Sequence, residues 1–210
     1  MNAAAELEAD EALLDAAESG SAAAAGAFRT WRCVEPVVVI GRGQTLADVA
    51  DTRLCRTRGI PIVRRTRGGG AVVVGHHSLQ YAFAFTTDAH PSFTDIGASK
   101  RTLGLLLAGA LAELGHGRVE LDVDGWGDLV VGDRKVAGTA LRRRRRAFLL
   151  HGSLLERPVP SLVGAALRTP PRAPAYRGSR SHGEFLGALG PIDDRALAAV
   201  VARRVARLAG

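Results

Sequence analysis

Several segments of the chain carry apolar residues three and four positions apart, the spacing that places them on one face of an α-helix. The strongest pattern runs from Ser99 to Leu114, where Gly115 ends it. A second pattern, rich in alanine and acidic residues, covers positions 3–18, and another follows Asp193 or Asp194, which suit a helix N-cap. Further helices are predicted over residues 45–59, 162–167 and 181–189, with Gly59 closing the first of them.

The middle of the chain shows short apolar runs and a two-residue alternation, which indicate β-strands. The alternation is clearest over residues 79–85, where large apolar side chains take one face and Gln80, Ala82 and Ala84 take the other. We expect the first face to enter the core and the second to leave room for a ligand or a close-packed strand. The other predicted strands are 29–34, 36–40, 61–65, 71–74, 119–123, 128–131, 135–141 and 148–155.

This order of elements, with strands in the middle and helices around them, predicts an α+β fold. We expect a central mixed, largely antiparallel sheet flanked by helices. A chain of 210 residues buries enough surface to fold without metal or disulfide staples. A single domain over residues 1–210 is therefore expected, with no separate C-terminal accessory domain.

Composition excludes several classes of protein. Apolar residues make up 47% of the chain and charged residues 23%, which argues against general disorder. No run of about 18 apolar residues is present, and the acidic N-terminus lacks the features of a signal peptide, so we expect a cytoplasmic protein without a membrane partner. Cys33 and Cys55 have no partner spacing for zinc and are expected to be free thiols.

The net charge of +7 suits an anionic partner such as a nucleotide or an acidic protein. The arginines lack the aromatic interleaving that stacks bases, so nucleic acid is not expected. Of the 28 basic residues, only Lys100 and Lys135 are lysines. A lysine kept in such an arginine-rich chain points to a place where a compact ammonium is needed, the alternative being chance.

Three segments combine residue types that suit chemistry on an anion. In the run RRTRGGGAV at 64–72, glycines free the backbone amides to converge on an anion and arginines supply bidentate donors, a flexible turn being the alternative. In KVAGTA at 135–140, small neighbours let a ligand reach Lys135, the alternative being a solvated turn lysine. Five arginines at 142–146, predicted to form a solvated hairpin tip, precede HGSLL at 151–155, where a structural role of His151 is favoured over a catalytic one.

In order and spacing, these segments resemble the lipoate-protein ligase family, in the superfamily that includes biotin protein ligases and octanoyltransferases. The family's signatures are an RR-x-S-GGG-A-V run, a KxxGxA strand and an HG-[ST]-x-L strand. Residues 10–14 and 39–44 are similar to its DExLL and h-GxxQ segments. The resemblance covers roughly residues 8–189.

The resemblance implies an α+β catalytic domain of biotin/lipoate ligase type and a two-step reaction. The carboxylate of lipoate or octanoate attacks the α-phosphate of ATP, and a lysine of a lipoyl-type acceptor domain then takes the acyl group from the adenylate. Lys135 matches the catalytic residue that contacts the acyl carboxylate and the phosphate. Mg²⁺ would accompany ATP, with Asp128 as the one candidate ligand and the others unassigned. The residues that match the nucleotide-binding set are Arg64, Gly68, Gly69, Gly70, Ala71, Val72 and Lys135.

The chain departs from the family pattern at several positions. Arg67 stands where the family has Ser, which adds a charge beside the expected phosphate site. Val74-Gly75 and Ser78 replace a His-Asp pair and an Asn, which leaves the acyl substrate open. Neither cysteine lies where octanoyltransferases of the superfamily carry their catalytic Cys.

Two alternatives to a ligase remain at this point. One is an octanoyl or lipoyl transferase that takes the acyl group from a carrier protein without a Cys. The other is a non-catalytic, ligase-like binding subunit. A separate accessory subunit is a further expected partner, with the arginines at 142–146 as one docking surface for an acidic protein, and an enzyme complete by itself is the equal alternative.

Overall fold

A six-stranded antiparallel sheet crosses the middle of the fold in the computed structural model, which describes residues 2–21, 26–157, 159–170 and 172–208. The pairing aligns Gln80, Ser153 and Gly138 in one row across three neighbouring strands. This row lies at the end of the sheet where the candidate site is found. In order across the sheet, the strands are β1 (Ala27–Trp31), β5 (Ser78–Thr86), β9 (Ala147–Leu155), β8 (Arg134–Arg143), β7 (Leu129–Val131) and β6 (Glu120–Leu121).

A second sheet of three short strands lies beside the first. Its central strand, β2 (Val37–Ile40), runs parallel to β3 (Ile62–Arg64) and antiparallel to β4 (Val72–Val74). The predicted α+β fold, largely antiparallel with flanking helices, is confirmed, and the one parallel pair among the described strands belongs to this small sheet. The glycine run at 68–70 connects β3 to β4 and so lies at the edge of this sheet.

Two long helices cover the aromatic face of β5, as the alternation predicts. They are α4 (Ile96–Glu113) and α7 (Asp194–Ala206), which Asp95 and Asp193 cap through their side chains. None of the helices found in the described ranges has both the length and the apolar character needed to cross a membrane. The core that α4 and α7 share with β5 includes Tyr81, Phe83, Phe85, Leu103, Leu107, Leu111, Leu197 and Val201.

The small-residue face of β5 is covered by the first helix, α1 (Ala3–Glu18). Leu14 and Ala17 of this helix pack against Ala82 and Ala84. At those two positions the expectation of an open face or a packed strand is wrong, because a helix fills the space. Farther along the same face, Gln80 lines a cavity, so there the expectation of room for a ligand is met.

The predicted helix over residues 45–59 is wrong in its continuity. The chain forms two short helices, α2 (Leu46–Val49) and α3 (Thr52–Thr57), because Ala50 between them pairs with Leu167 in an isolated β-bridge. This bridge ties the segment to the end of α5 (Pro160–Ala166). The predicted helix over 181–189 also shrinks, to the single turn of α6 (His182–Phe185).

The arginines of the β8–β9 hairpin are largely paired within the chain. The guanidinium groups of Arg142 and Arg144 pair with the carboxylates of Glu11 and Asp15, whereas the Arg146 guanidinium donates to the backbone carbonyl oxygen of Glu18 and the Arg146 amide donates to the Glu18 carboxylate. The three acids form one stripe along α1. Arg143 donates to the carbonyl oxygen of Phe93 at 2.8 Å. The prediction of a solvated tip is therefore wrong for residues 142–144, which are half-buried and bonded, and is met by residues 145–146, which are exposed. The charges of Arg142 and Arg144 are already matched by α1, which weakens the case for an acidic docking partner here.

Candidate active site

A cavity of about 780 Å³ opens between the two sheets and brings the three predicted segments together. The glycine run at 68–70, Lys135 of β8 and the β9 residues 151–153 all line it. These segments are far apart in sequence, and the register of β5, β9 and β8 with the turn of the small sheet is what places them around one space.

The described lining of the cavity combines many cationic side chains with many apolar ones. A single carboxylate, that of Asp128, faces seven arginine and lysine side chains, so the cavity attracts anions. The cationic residues are Arg65, Lys100, Lys135, Arg157, Arg168, Arg172 and Arg177. The apolar lining includes Leu7, Trp31, Val39, Val49, Val73, Val74, Val163 and Leu167.

Lys135 projects into the cavity from the start of β8 and pairs with Asp128. Its Nζ lies 2.8 Å from Oδ1 of that carboxylate, which is 3% exposed. Gly138 leaves the space for this side chain, because a Cβ there would lie 2.9 Å from both Cε and Nζ of Lys135. The small residues noted in the KVAGTA segment thus have a direct role in shaping the lysine's surroundings.

The other oxygen of Asp128 accepts a hydrogen bond from the Tyr176 hydroxyl at 2.9 Å. Burial, together with the nearby Asp128 carboxylate, raises the pKa of Tyr176, so the phenol stays protonated as the donor. The Tyr176 amide also donates to Asp124 at 2.8 Å, which holds the Pro/Arg-rich loop of residues 168–180 against the cavity. No cluster of three or more His, Cys, Asp or Glu suited to a metal occurs among the described residues.

The glycine run is held by Arg65 and not by Arg64. Arg65 donates to the carbonyl oxygens of Gly68 and Gly70 at 2.8 Å, and burial lowers its pKa to about 10. Gly69 needs its lack of a side chain, because its φ is +95° and a Cβ would lie 2.7 Å from Nη2 of Arg65. In the described part of the chain, the amides of Gly68–Gly70 make no hydrogen bond to the protein, which leaves them available to a ligand.

Arg64, the arginine that the family pattern selects, bonds instead to the loop at residues 41–44. Its Nη1 donates to the carbonyl oxygens of Gly41 and Gln44 at 2.9 and 2.7 Å. Its side chain is absent from the described lining of the cavity. Its assignment to nucleotide binding therefore stays a prediction, and a role in holding the loop at residues 41–44 is the simpler interpretation. The other predicted residues, Gly68, Gly69, Gly70, Ala71, Val72 and Lys135, all line the cavity.

Arg67 adds its charge behind the glycine run and not in the cavity lining, close enough to add to the effect of burial in lowering the pKa values of Arg65 and His151. Its side chain is fully buried and points to α1, where its Nη2 lies 3.5 Å from Asp10 and its Nε 3.5 Å from Glu11. Both acids belong to the segment that resembles the family's DExLL. Arg67, which stands where the family has Ser, is therefore paired with acidic residues beneath the cavity that do not line it.

The glycine run supports a test on ligand binding in which two positions behave differently. Gly70→Val is expected to weaken nucleotide binding with little change in melting temperature, because a Cβ at Gly70 meets no atom within 4 Å and its φ is not positive. Gly69→Val is expected to weaken binding and to lower the melting temperature as well, since valine is strained at positive φ. Nucleotide titration and thermal melts of both variants check this. Unchanged affinity in Gly70→Val would contradict a ligand at the run.

His151 lies between the cavity and the buried charges beneath it. Its Nδ1 is 3.7 Å from Oδ2 of Asp10, beyond hydrogen-bond length but close enough for attraction. Burial lowers the pKa of His151 to about 4, and the neighbouring Arg67 and Arg65 add to that effect while Asp10 opposes it. His151 is therefore neutral at neutral pH and fits the structural role that the sequence favours.

This histidine predicts a pH dependence of stability. Because its pKa falls from 6.5 in the unfolded chain to about 4 in the folded one, the unfolded state binds the extra proton and stability is lost as pH drops from 6.5 toward 4. The loss from pH 7.5 to pH 5 is expected to be about 2 kcal/mol. Urea unfolding of the wild type and His151→Gln at both pH values measures it. Equal pH sensitivity in the two proteins would refute the assignment to His151.

Sequence reasoning missed the contribution of the loop at 168–180. Arg168, Arg172 and Arg177 line the cavity from this loop, whose Pro/Arg-rich sequence has no periodicity to show which side chains turn inward. The concentration of arginines in a loop that also carries one of the two tyrosines was the available signal. Cys33 and Cys55 are buried and free, and burial raises the pKa of both thiols; neither lines the cavity.

Comparison with known proteins gives one family match over most of the chain. The model described as the lipoyl protein ligase A/B catalytic domain matches residues 2–194. Among curated proteins, the lipoate-protein ligase LplJ of Bacillus subtilis is 33% identical over 121 residues, 58% of this chain and 34% of that protein. The octanoyltransferase LipM of Carboxydothermus hydrogenoformans is 30% identical over 161 residues, 70% of this chain and 58% of that protein.

Two solved structures share the fold. The crystal structure of lipoate-protein ligase A bound with ATP aligns with a TM-score of 0.77 at 22% identity, over 96% of this chain and 78% of that one. A bi-partite lipoate protein ligase from Thermoplasma acidophilum, studied with its E2 lipoyl domain, aligns with a TM-score of 0.77 at 22% identity, over 97% and 77%. The chain spans between a third and three fifths of the length of the two curated relatives named above.

Proposed function

Because the chain belongs to the family of lipoyl protein ligase A/B catalytic domains, we propose that it is an ATP-dependent lipoate-protein ligase. Its relatives include both ligases and octanoyltransferases, which supports an enzyme of ligase or transferase type. What we propose beyond this is that the enzyme uses ATP. The proposed reaction activates lipoate or octanoate as an acyl-adenylate and transfers the acyl group to a lysine of a lipoyl-type acceptor domain.

One observation carries this proposal: the lining of the cavity combines many cationic side chains with many apolar ones. Seven arginine and lysine side chains against one carboxylate suit a polyphosphate better than an acyl thioester on a carrier, which brings less charge to the site. The apolar lining from both sheets suits an aliphatic chain. ATP and a fatty acyl carboxylate together need both kinds of lining, and the ATP bound to one neighbour in fold agrees with this.

In this proposal Lys135 is the catalytic residue that lies between the two substrates. The carboxylate and the α-phosphate repel each other, and a fixed ammonium offsets that repulsion and stabilises the charge that develops on the phosphorus oxygens. Asp128 and Gly138 hold the ammonium in place before substrate arrives. Gly68, Gly69, Gly70, Ala71 and Val72 would bind phosphate through backbone amides, with Arg65 fixing their conformation and Arg64 fixing the adjacent loop.

Mg²⁺ would accompany ATP and neutralise phosphate charge when bound. It commonly uses one or two carboxylates and takes its other ligands from phosphate and water. Asp128 is the one carboxylate in the described lining, so the site fits such an ion with Asp128 as its protein ligand. That role would draw Asp128 away from Lys135 and free the ammonium for substrate.

A carrier-dependent octanoyl or lipoyl transferase is the second candidate. The likeness to LipM over 70% of the chain favours it. The resemblance implies a catalytic Cys for an octanoyltransferase of this superfamily. Here both cysteines are buried away from the cavity, and burial raises the pKa of both thiols. This weighs against an acyl-enzyme intermediate and leaves Lys135 as the residue that either reaction would use.

The proposed acceptor is a lipoyl domain, and we propose that the chain acts as a single catalytic domain over residues 1–210. A separate accessory subunit is a further proposed partner. Its support is the name of the bi-partite relative in Thermoplasma acidophilum.

One set of assays separates these possibilities. Purified protein is incubated with ATP, Mg²⁺ and lipoate or octanoate, and acyl-adenylate is sought by mass spectrometry. The expected result is adenylate. ATP-independent transfer from an octanoylated carrier protein would instead establish the transferase, and binding without either reaction would establish a non-catalytic subunit. Full turnover to a lipoylated acceptor without an added subunit would rule out the accessory partner.

A further inference from the structure

Lys100 lines the same cavity as Lys135, so the chain's two lysines meet at one site. Lys100 lies in the second turn of α4. Its stem passes over Gly127, where a Cβ would lie 3.2 Å from Cδ and 3.4 Å from Cβ of the lysine. Its Nζ donates to the carbonyl oxygen of Trp126 at 3.1 Å. Because Gly127 has no side chain, the Lys100 side chain can lie along this part of the cavity wall and reach the carbonyl oxygen of Trp126.

The two ammonium groups differ in their partners. Lys135 is paired with Asp128, whereas Lys100 has no carboxylate within 4.0 Å in the described ranges. An ammonium has three donors, and the bond to Trp126 uses one of them, which leaves two for a ligand. Trp126 and Asp128 are two residues apart, at most about 7 Å between Cα atoms, so the two ammonium groups flank one short segment.

That segment is rigidly built. The Asp122 carboxylate accepts hydrogen bonds from the amides of Asp124, Trp126 and Asp128, at 3.1, 3.0 and 2.7 Å. Thr139 of β8 donates to the carbonyl oxygen of Gly127 at 3.0 Å and ties the segment to the strand that carries Lys135. Lys100 is therefore held at a set position relative to Lys135, as a preorganised charge requires.

We propose that Lys100 binds the polyphosphate group that leaves during acyl activation, an inference that rests on the proposed ligase function. A carboxylate oxygen bonds to the α-phosphorus, and the bond from that phosphorus to the oxygen bridging to the β-phosphate breaks. The electron pair of that bond stays on the departing pyrophosphate. Lys100 donates hydrogen bonds to this group and offsets its added negative charge, while Lys135 serves the carboxylate and the α-phosphate. No proton is transferred in the step.

The test uses Lys100→Met, which keeps the stem over Gly127 and removes the charge. Lipoate-dependent exchange of labelled pyrophosphate into ATP is expected to fall by about 10- to 100-fold, the range for losing a hydrogen bond to a charged group, with a higher KM for pyrophosphate. Pyrophosphate binding to the free protein, measured by calorimetry, is expected to weaken. Transfer from chemically prepared lipoyl-adenylate to a lipoyl domain is expected to stay at the wild-type rate, because pyrophosphate has already left. Arg101→Met, at the exposed next residue of α4, is the matched control and is expected to match the wild type throughout.

The outcomes separate this inference from the function beneath it. Wild-type exchange in Lys100→Met would overturn the role of Lys100 and leave the ligase intact. Equal losses in exchange and in transfer from the adenylate would also overturn it, since they would indicate general damage to the site. A wild type that binds pyrophosphate through Lys100 but performs no exchange would overturn the ligase and keep the anion site. A wild-type protein that neither binds pyrophosphate nor performs the exchange would overturn both the role of Lys100 and the ligase function.

Discussion

Replacing Lys135 by methionine is expected to lower the rate of acyl-adenylate formation by about 100- to 1000-fold, which corresponds to about 2.7–4 kcal/mol of activation free energy. Lys135 is the ammonium paired with Asp128, the one carboxylate in the described lining of the cavity, and Asp128 and Gly138 set its position before substrate binds. Methionine keeps most of the length and apolar contact of the side chain but removes the charge. The measurement is single-turnover adenylate formation at saturating ATP and lipoate.

Lys135→Arg is expected to fail as well, although it keeps the positive charge. The lysine's Nζ lies against Gly138, where a Cβ would be only 2.9 Å away, so a longer, forked guanidinium cannot keep the position of the ammonium and would place its charge elsewhere in the cavity. This variant therefore separates a need for charge from a need for a compact ammonium.

The control is Arg134→Met, at the exposed preceding residue of β8, whose side chain is absent from the described lining. It is expected to retain full activity, and thermal melts of all three variants show whether the fold persists. Rates near the wild type in either Lys135 variant would refute the catalytic assignment.

The assembly of the candidate site follows from residue types and order along the chain. The glycine run, Lys135 and the HGSLL strand were each ambiguous alone, and their common resemblance predicted that they meet. The structure brings them around one cavity through the ladders of β5, β9 and β8. The scarcity of lysine was a further signal, because both lysines line that cavity.

Side-chain direction in the arginine run could not be predicted. Arg64, Arg65 and Arg67 lie within four positions, yet they point to a loop, to the glycine carbonyls and to α1. β3 ends at Arg64, and past a strand end the two-residue alternation no longer fixes which way a side chain turns. The resemblance selected Arg64, and geometry gives the cavity position to Arg65.

Long-range contacts account for the remaining differences. The break in the predicted helix at 45–59 comes from the pairing of Ala50 with Leu167, which no local pattern contains. The arginine run at 142–146 predicts a solvated tip because the acidic residues that bind part of it, Glu11, Asp15 and Glu18, belong to a helix more than a hundred positions away. The helical spacing of acidic residues on α1 and the run of arginines at 142–146 are both evident in the sequence, but only the folded structure shows which of them pair.

The buried face of the same helix gives the second large prediction. Asp10 is fully buried, bonds to Arg29 at 2.6 Å and lies 3.5 Å from Arg67, whose guanidinium is also fully buried. Burial by itself raises the pKa of Asp10, but His151, Arg67 and Arg29 outweigh it and hold the pKa below its usual value, so the carboxylate stays ionised. Within the described residues, the guanidinium nitrogens of Arg67 have no hydrogen-bond partner and depend on this charge and on Glu11.

Asp10→Asn is therefore expected to lower the free energy of unfolding by about 3–5 kcal/mol, the range for removing one partner of a buried ion pair. The isosteric change keeps the packing of α1 and leaves the buried Arg67 short of a counter-charge. Urea unfolding at pH 7.5 measures the loss, with Asp15→Asn as control, because its exposed pair with Arg144 is expected to contribute less than about 1 kcal/mol. Adding Arg67→Met to Asp10→Asn is expected to recover much of the stability, since the unmatched charge is then gone. If Asp10→Asn is as stable as Asp15→Asn, or if the double variant recovers nothing, Asp10 does not act as the counter-charge of Arg67.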